Sequence, residues 1–155
     1  MLLWKEFIHH KREKNMETRI EEALKVGQHT LDSLHTAQMK LENVRKWEMR
    51  ERFGGNVFVS IIKNMKISDI QEYIVQAKSD VLKFQIVLKS ICMPEEIKKV
   101  TRIFISFANF FLDGTIEEYL LKAEVRNVWE QVEDAIELVE KVCLELENGV
   151  QHKNV

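Results

Sequence analysis

Apolar residues return in steps of three and four along almost the whole chain, a rhythm that predicts helices rather than strands. From about Lys5 to Arg52 the positions Ile20, Leu24, Leu31, Leu34, Leu41 and Val44 fall on one face, with Gly27 and Gln38 in the remaining seam slots. Their spacing averages about 3.5 residues, the coiled-coil period. Ala23, Thr30 and Ala37 lie beside this seam, so close packing of moderate strength is expected, with Trp47 as its anchor and Gly27 as the point open to interruption.

Phe53-Gly54-Gly55-Asn56 ends that helix, because glycine accepts the left-handed conformation of a helix C-terminus and Asn is a good N-cap. A short apolar segment, Val57 to Ile67, follows. Ser68 stands three residues before Gln71, the spacing of a capping box, so a new helix is predicted from there to about Ile91. Its seam is Ile70, Ile74, Ala77, Val81, Phe84, Leu88 and Ile91. Pro94, Glu95 and Glu96 open the next helix, which runs to Leu112. Asp113-Gly114 breaks it, and Thr115 with Glu118 forms a second capping box. The last helix is predicted to run to Asn148-Gly149, with Val125, Val128, Val132, Ile136, Val139, Val142 and Leu146 inward, leaving 151–155 as a frayed tail.

Two stretches resemble each other at a constant offset of 46 residues: Phe58, Ser60, Ile70, Glu72, Tyr73 and Ala77 fall on Phe104, Ser106, Ile116, Glu118, Tyr119 and Ala123. Each reads as a short apolar helix, a capped break and a long heptad helix, an internal repeat over about 57–91 and 103–137 whose copies would pack together. The fold class expected is all-α: an elongated antiparallel helical bundle with a coiled-coil-like body. Three long helices form it, with two short apolar helices near one end, in a single domain over residues 1–150.

Composition narrows this further. One Pro and five Gly in 155 residues are too few to punctuate a chain of strands and turns. With 23 basic and 25 acidic residues the net charge is −2, which gives no general drive toward nucleic acid or anionic lipid. The basic run His9-His10-Lys11-Arg12-Glu13-Lys14 is followed closely by Glu17, Glu21 and Glu22 and reads as a solvated helix face. Cys92 and Cys143 each sit in an apolar stretch and read as free thiols of a reducing compartment. No secretory signal and no apolar run of the ~18–20 residues needed to span a bilayer is visible, so a cytoplasmic location is expected.

Candidate chemistry is sparse. His29, Asp32 and His35, each three apart on one helix, are the best metal-like spacing, although two such steps rotate the second imidazole away from the first. Glu72 and Glu118 form a repeated pair, each in the first turn of its predicted helix, where an acid is expected on structural grounds. Ser60 and Ser106 have no local His or Asp partner. No catalytic or cofactor-binding motif is present. The segment from Ile103 to Leu112 is apolar on every face, and its Phe104, Phe107, Phe110 and Phe111 are candidates either for the core or for an interaction surface.

Val44-Arg45-Lys46-Trp47, Phe53-Gly54-Gly55, Lys63 in an apolar helix, and Phe110-Phe111-Leu112-Asp113-Gly114 with Glu133-Asp134 together resemble a family of bacterial helical proteins of no known activity. That family commonly has a Gly and an Asp after the Trp, where this chain has Glu48-Met49-Arg50. The resemblance covers most of the chain and implies a bacterial cytosolic helical protein. The function expected is therefore a non-enzymatic structural or protein-interaction bundle without a cofactor, associating with itself or with another helical protein. Nucleic acid is not an expected partner, and membrane association is not expected either. The alternatives are a small-ligand or metal-binding bundle, and reversible membrane-surface association through the Phe-rich helix.

Overall fold

The computed structural model describes residues 2–52, 57–91 and 95–153. It is all-α, and no strand occurs among the described residues. Helix α1 spans Leu2–Arg52, α2 Val57–Lys89, α3 Glu95–Phe111, α4 Thr115–Leu121 and α5 Val125–Lys153. Helix α1 packs on α2 and α5, and α3 closes the ring against both, so α1 faces α3 and α2 faces α5 across the diagonals. Partners run antiparallel. Thr30 meets Asp80, whereas Lys40 lies over Tyr73; Gly27 lies by Cys143, and Arg45 over Trp129. The molecule is an up-down-up-down four-helix bundle, with α4 prolonging α3 alongside α2, where Lys78 and Glu117 form an ion pair.

The predicted seams of α2 and α5 are buried at every named position. On α1 the seam centre differs. Ile20, Ala23, Gly27, Thr30, Leu34, Ala37, Leu41 and Val44 are buried, in alternating steps of three and four, while Leu24 and Leu31 are half-buried flanks. The small residues are central because α1 must come close to its neighbours. A Cβ at Gly27 would lie 2.5 Å from Cys143 Sγ and 3.1 Å from Phe84 Cζ. Gly27 therefore marks a close approach inside an unbroken helix and does not interrupt it.

Three boundaries and one cap differ from what the sequence predicts. No break precedes Ser68: α2 is continuous, and Ser68 is an exposed mid-helix residue. Ile67 and Ile70, three apart, both enter the core only if the helix continues between them. At Gly114, which has φ +99°, the break is as expected, but the cap is not a Thr115–Glu118 box. Asp113 Oδ1 accepts the Thr115 hydroxyl and, at 2.9 Å, the Thr115 backbone N–H, and these two bonds, the hydroxyl's first, hold its carboxyl below the usual range.

The last helix is split at Lys122-Ala123-Glu124. Glu124 N donates to Tyr119 O (2.8 Å) and Ala123 N to Leu120 O (3.1 Å), the paired bonds of a Schellman closure, with Ala123 at φ 57° in the place glycine usually takes. An L-residue pays about 1–2 kcal/mol in that conformation. Ala123→Gly is thus expected to raise unfolding free energy by about 0.5–1 kcal/mol after glycine's added chain entropy is offset, measured by urea titration. Finally, α5 continues through Gly149 to Lys153 instead of stopping there and fraying. A Cβ at Gly149 would meet Ile97 Cδ1 at 2.8 Å, so this glycine too serves helix approach.

These boundaries bear on the repeat. Ile70 and Ile116 are both buried, Tyr73 and Tyr119 both half-buried, and Glu72 and Glu118 both exposed. The first stretch is nonetheless one helix, whereas the second is divided among α3, α4 and α5, and Ala77 is helical where Ala123 is left-handed. Phe53 to Asn56, Cys92 to Pro94, and residues 154–155 lie outside the described residues, as do the side chains of Phe58 and Ser60.

Candidate functional site: the Asp80 cluster and the exposed apolar faces

His29, Asp32 and His35 are all exposed and do not converge. His29 Nε2 lies 3.6 Å from Asp80 Oδ2 on α2, and His35 Nε2 lies 3.9 Å from Glu140 Oε1 on α5. Six residues turn a helix by about 240°, which sends the two imidazoles to opposite neighbours. Among the described residues no group of three His, Cys, Asp or Glu side chains could hold a metal ion. Glu72 lines a shallow groove of about 270 Å³ between α1 and α2, with Lys40, Lys66 and Tyr73 among its walls, while Glu118 is exposed on α4.

The Phe-rich segment resolves into two faces. Phe104, Ala108 and Phe111 are fully buried, and the Phe104 ring sits 5.2 Å from that of Phe84. Phe107 is half-buried with its ring 5.8 Å from Phe111, and Phe110 is 46% exposed. The segment that looked apolar all round is therefore one-sided. Two of the four candidate interaction residues, Phe104 and Phe111, are core; this helix cannot offer all four to a membrane or a partner.

A polar cluster that the sequence reading missed lies between α1 and α2. Asp80 is only 1% exposed, because its place in α2 beside Ala77, Val81 and Phe84 turns it toward α1. Ser33 Oγ donates to Asp80 Oδ2, as does Gln76 Nε2 at 3.2 Å, and His29 approaches the same oxygen. Thr30 Oγ1 donates to the backbone oxygens of Val26 (2.7 Å) and Asp80 (3.1 Å). Asp80 Oδ1 is buried without a hydrogen-bond partner. Although Ser, His and Asp meet here, the serine gives its proton to the carboxylate and the imidazole approaches that same oxygen. The imidazole is not placed to activate the hydroxyl as a general base would be. What the cluster can do is fix the α1–α2 register, since Ser33 meets the Asp80 carboxylate, and Thr30 an acceptor beyond its own helix, only in this alignment. A single Asp among seam-flanking apolar residues was the available signal.

Cys143 is a free thiol that burial, and then Glu147 and Glu140, push up to about 11. It is protonated and inert at neutral pH, consistent with a packing role opposite Gly27.

Two apolar faces remain open. On α2, Val75 (63% exposed), Leu82 (43%) and Ile86 (57%) are joined by Ser79 in steps of four, three and four, a second heptad stripe on the side away from the core. On the first turns of α1, Leu3 (82%), Trp4 (67%) and Phe7 (58%) are exposed, with the Trp4 and Phe7 rings stacked at 6.0 Å. Neither face surrounds a cavity or meets a catalytic group. Compared with family models, with curated proteins and with solved structures, the chain matches none.

Proposed function

We propose that this protein is a non-enzymatic helical interaction module that associates with itself through the outer face of α2. The observation that carries this reading is the exposed Val75–Ser79–Leu82–Ile86 stripe. A heptad seam on the solvent side of a helix whose other seam is already filled is complementary to another helix of the same kind. Two α2 helices related by a two-fold axis perpendicular to them would run antiparallel, setting Val75 of each near Ile86 of the other, the self-complementary arrangement of a closed dimer. Lys83 is exposed on one side of the stripe, whereas Lys78 on the other is paired with Glu117, so apolar contact carries the association and salt is expected to change it little.

Sedimentation velocity over a dilution series tests the proposal. A concentration-dependent dimer is expected, with Leu82→Glu raising its dissociation constant at least about tenfold, as for a central interface residue. Leu82 lies outside the core, so the variant's thermal melt should match the parent at equal monomer concentration. A monomer at every concentration would end this reading.

A further inference from the structure

The first turns of α1 do not continue the bundle. Met16 is the first residue that packs against the core, and Ile20 the first that is fully buried. Residues 2–15 therefore form an arm about 21 Å long beyond the packed body. The arm also changes phase. Carrying the α1 seam back from Ile20 and Met16 in steps of three and four reaches Glu13, His9 and Glu6, all polar. Trp4, Phe7 and Ile8 instead share the register of Asp32, His35, Thr36 and Met39, on the outward side of α1, and Leu3 falls beside them in the flank register of Leu24 and Leu31. An arm built to extend the coiled coil would keep its apolar residues in the seam phase; this one turns them away from it.

Charge is segregated in the same way. Residues 2–14 hold four Lys or Arg against two Glu, with His9 and His10 beside them, whereas α5 holds three basic against seven acidic residues. The net charge of the whole chain conceals a cationic arm. Its exposed apolar surface comes to roughly 400–500 Å², given that a Trp or Phe can cover 150–250 Å². Two such arms packed together would stay below the ~1,200 Å² at which stable protein interfaces begin. The outward side of the arm carries Leu3, Trp4 and Phe7 in its first two turns and then His10 and Lys11, seven residues on from Leu3 and Trp4, with Lys5 and Arg12 flanking. Apolar side chains followed by cations along one side match the boundary between lipid head groups and acyl chains.

We infer that the arm is a reversible anchor to anionic membrane surfaces, with Leu3, Trp4 and Phe7 entering the interface and Lys5, Lys11 and Arg12 reaching lipid phosphates. Because its apolar side shares the outward register of α1, the arm can lie flat without a kink. The outward side of the body then brings Lys25, Met39, Lys46, Met49 and Arg50 toward the lipid together with the acids Glu21, Glu22 and Asp32, all exposed, so the attraction to anionic lipid rests on the arm. This departs from the expectation drawn from overall charge, and it places the contact on the arm instead of the Phe-rich helix. It does not depend on self-association.

Vesicle co-sedimentation of the full chain tests it, with phosphatidylcholine vesicles and with phosphatidylcholine vesicles containing phosphatidylglycerol. Binding is expected only to the anionic vesicles. Phe7→Glu should abolish it, while the Lys11→Ser, Arg12→Ser pair should weaken it about fivefold per cation removed. Both variants lie outside the core, so their helical content and melting should be unchanged. Leu82→Glu should still bind, which keeps failure of the dimer reading separate from failure of this one. Parent protein left in the supernatant of both vesicle types would overturn the inference, as would binding that survives Phe7→Glu. Loss of a lipid-free oligomer on Phe7→Glu would also overturn it, by assigning the arm to a second copy.

Discussion

Replacing Phe104 by Ala is expected to lower unfolding free energy by about 3–5 kcal/mol, while Phe110→Ala on the same helix should cost less than about 1 kcal/mol. Phe104 is fully buried against Phe84, and truncation leaves a cavity that Ala108 and Phe111 cannot fill without moving α3 along α5. Phe110 keeps nearly half of its surface in water, so it has little burial to lose. Guanidinium unfolding curves for the two variants check this directly. Equal costs would mean that α3 does not present one face to the core.

The second large effect centres on Gly27. Alanine normally gains about 1 kcal/mol over glycine inside a helix. Here Gly27→Ala is expected to destabilise by about 1–3 kcal/mol, because the new Cβ would lie 2.5 Å from Cys143 Sγ and 3.1 Å from Phe84 Cζ. Removing the sulfur tests the cause. In a Cys143→Ala background the same substitution should cost at least about 1 kcal/mol less, a coupling typical of side chains in contact. Additive costs in the double-mutant cycle would show that some other contact limits the approach of α1 and α5.

Much of the bundle is written in its apolar spacing. The α2 and α5 seams are legible because Ile, Val, Leu and Phe fill them without interruption, and the turn at Asp113-Gly114 because glycine there takes a positive φ. The α1 seam is less legible. Leu24 and Leu31 outrank Ala23 and Thr30 in hydrophobicity, yet the closest helix approach requires the small residues at its centre. Ser68 and Gln71 have the spacing of a cap, but burying Ile67 and Ile70 on one face outweighs that local signal. Ala123 carries no stop signal at all, since its left-handed conformation is imposed by the Schellman bonds around it. Gly149 signals a stop that packing against Ile97 overrides.

The candidate sites were harder to read than the fold. The three-residue spacing of His29, Asp32 and His35 describes one helix but says nothing of the neighbours that draw the two imidazoles apart. Asp80 was hidden because its partners Thr30 and Ser33 lie about fifty residues away on another helix. The arm was obscured by averaging, since a chain-wide charge of −2 hides a cationic end opposite an acidic α5.

The ring order of the helices also sets when the core can close. Helix α1 shares its seam with α2, its neighbour in sequence, and with α5, the last helix to be made; Gln38 and Glu133 are joined across 95 residues. A nascent chain that has produced α1, α2 and α3 holds Leu34, Leu41 and Phe104 on surfaces still lacking their final cover. Closing so long a loop is slow compared with forming a local hairpin. The interval before α5 docks is therefore when the chain is most open to aggregation and proteolysis, and mutations along Val128, Val132 and Val139 lengthen it.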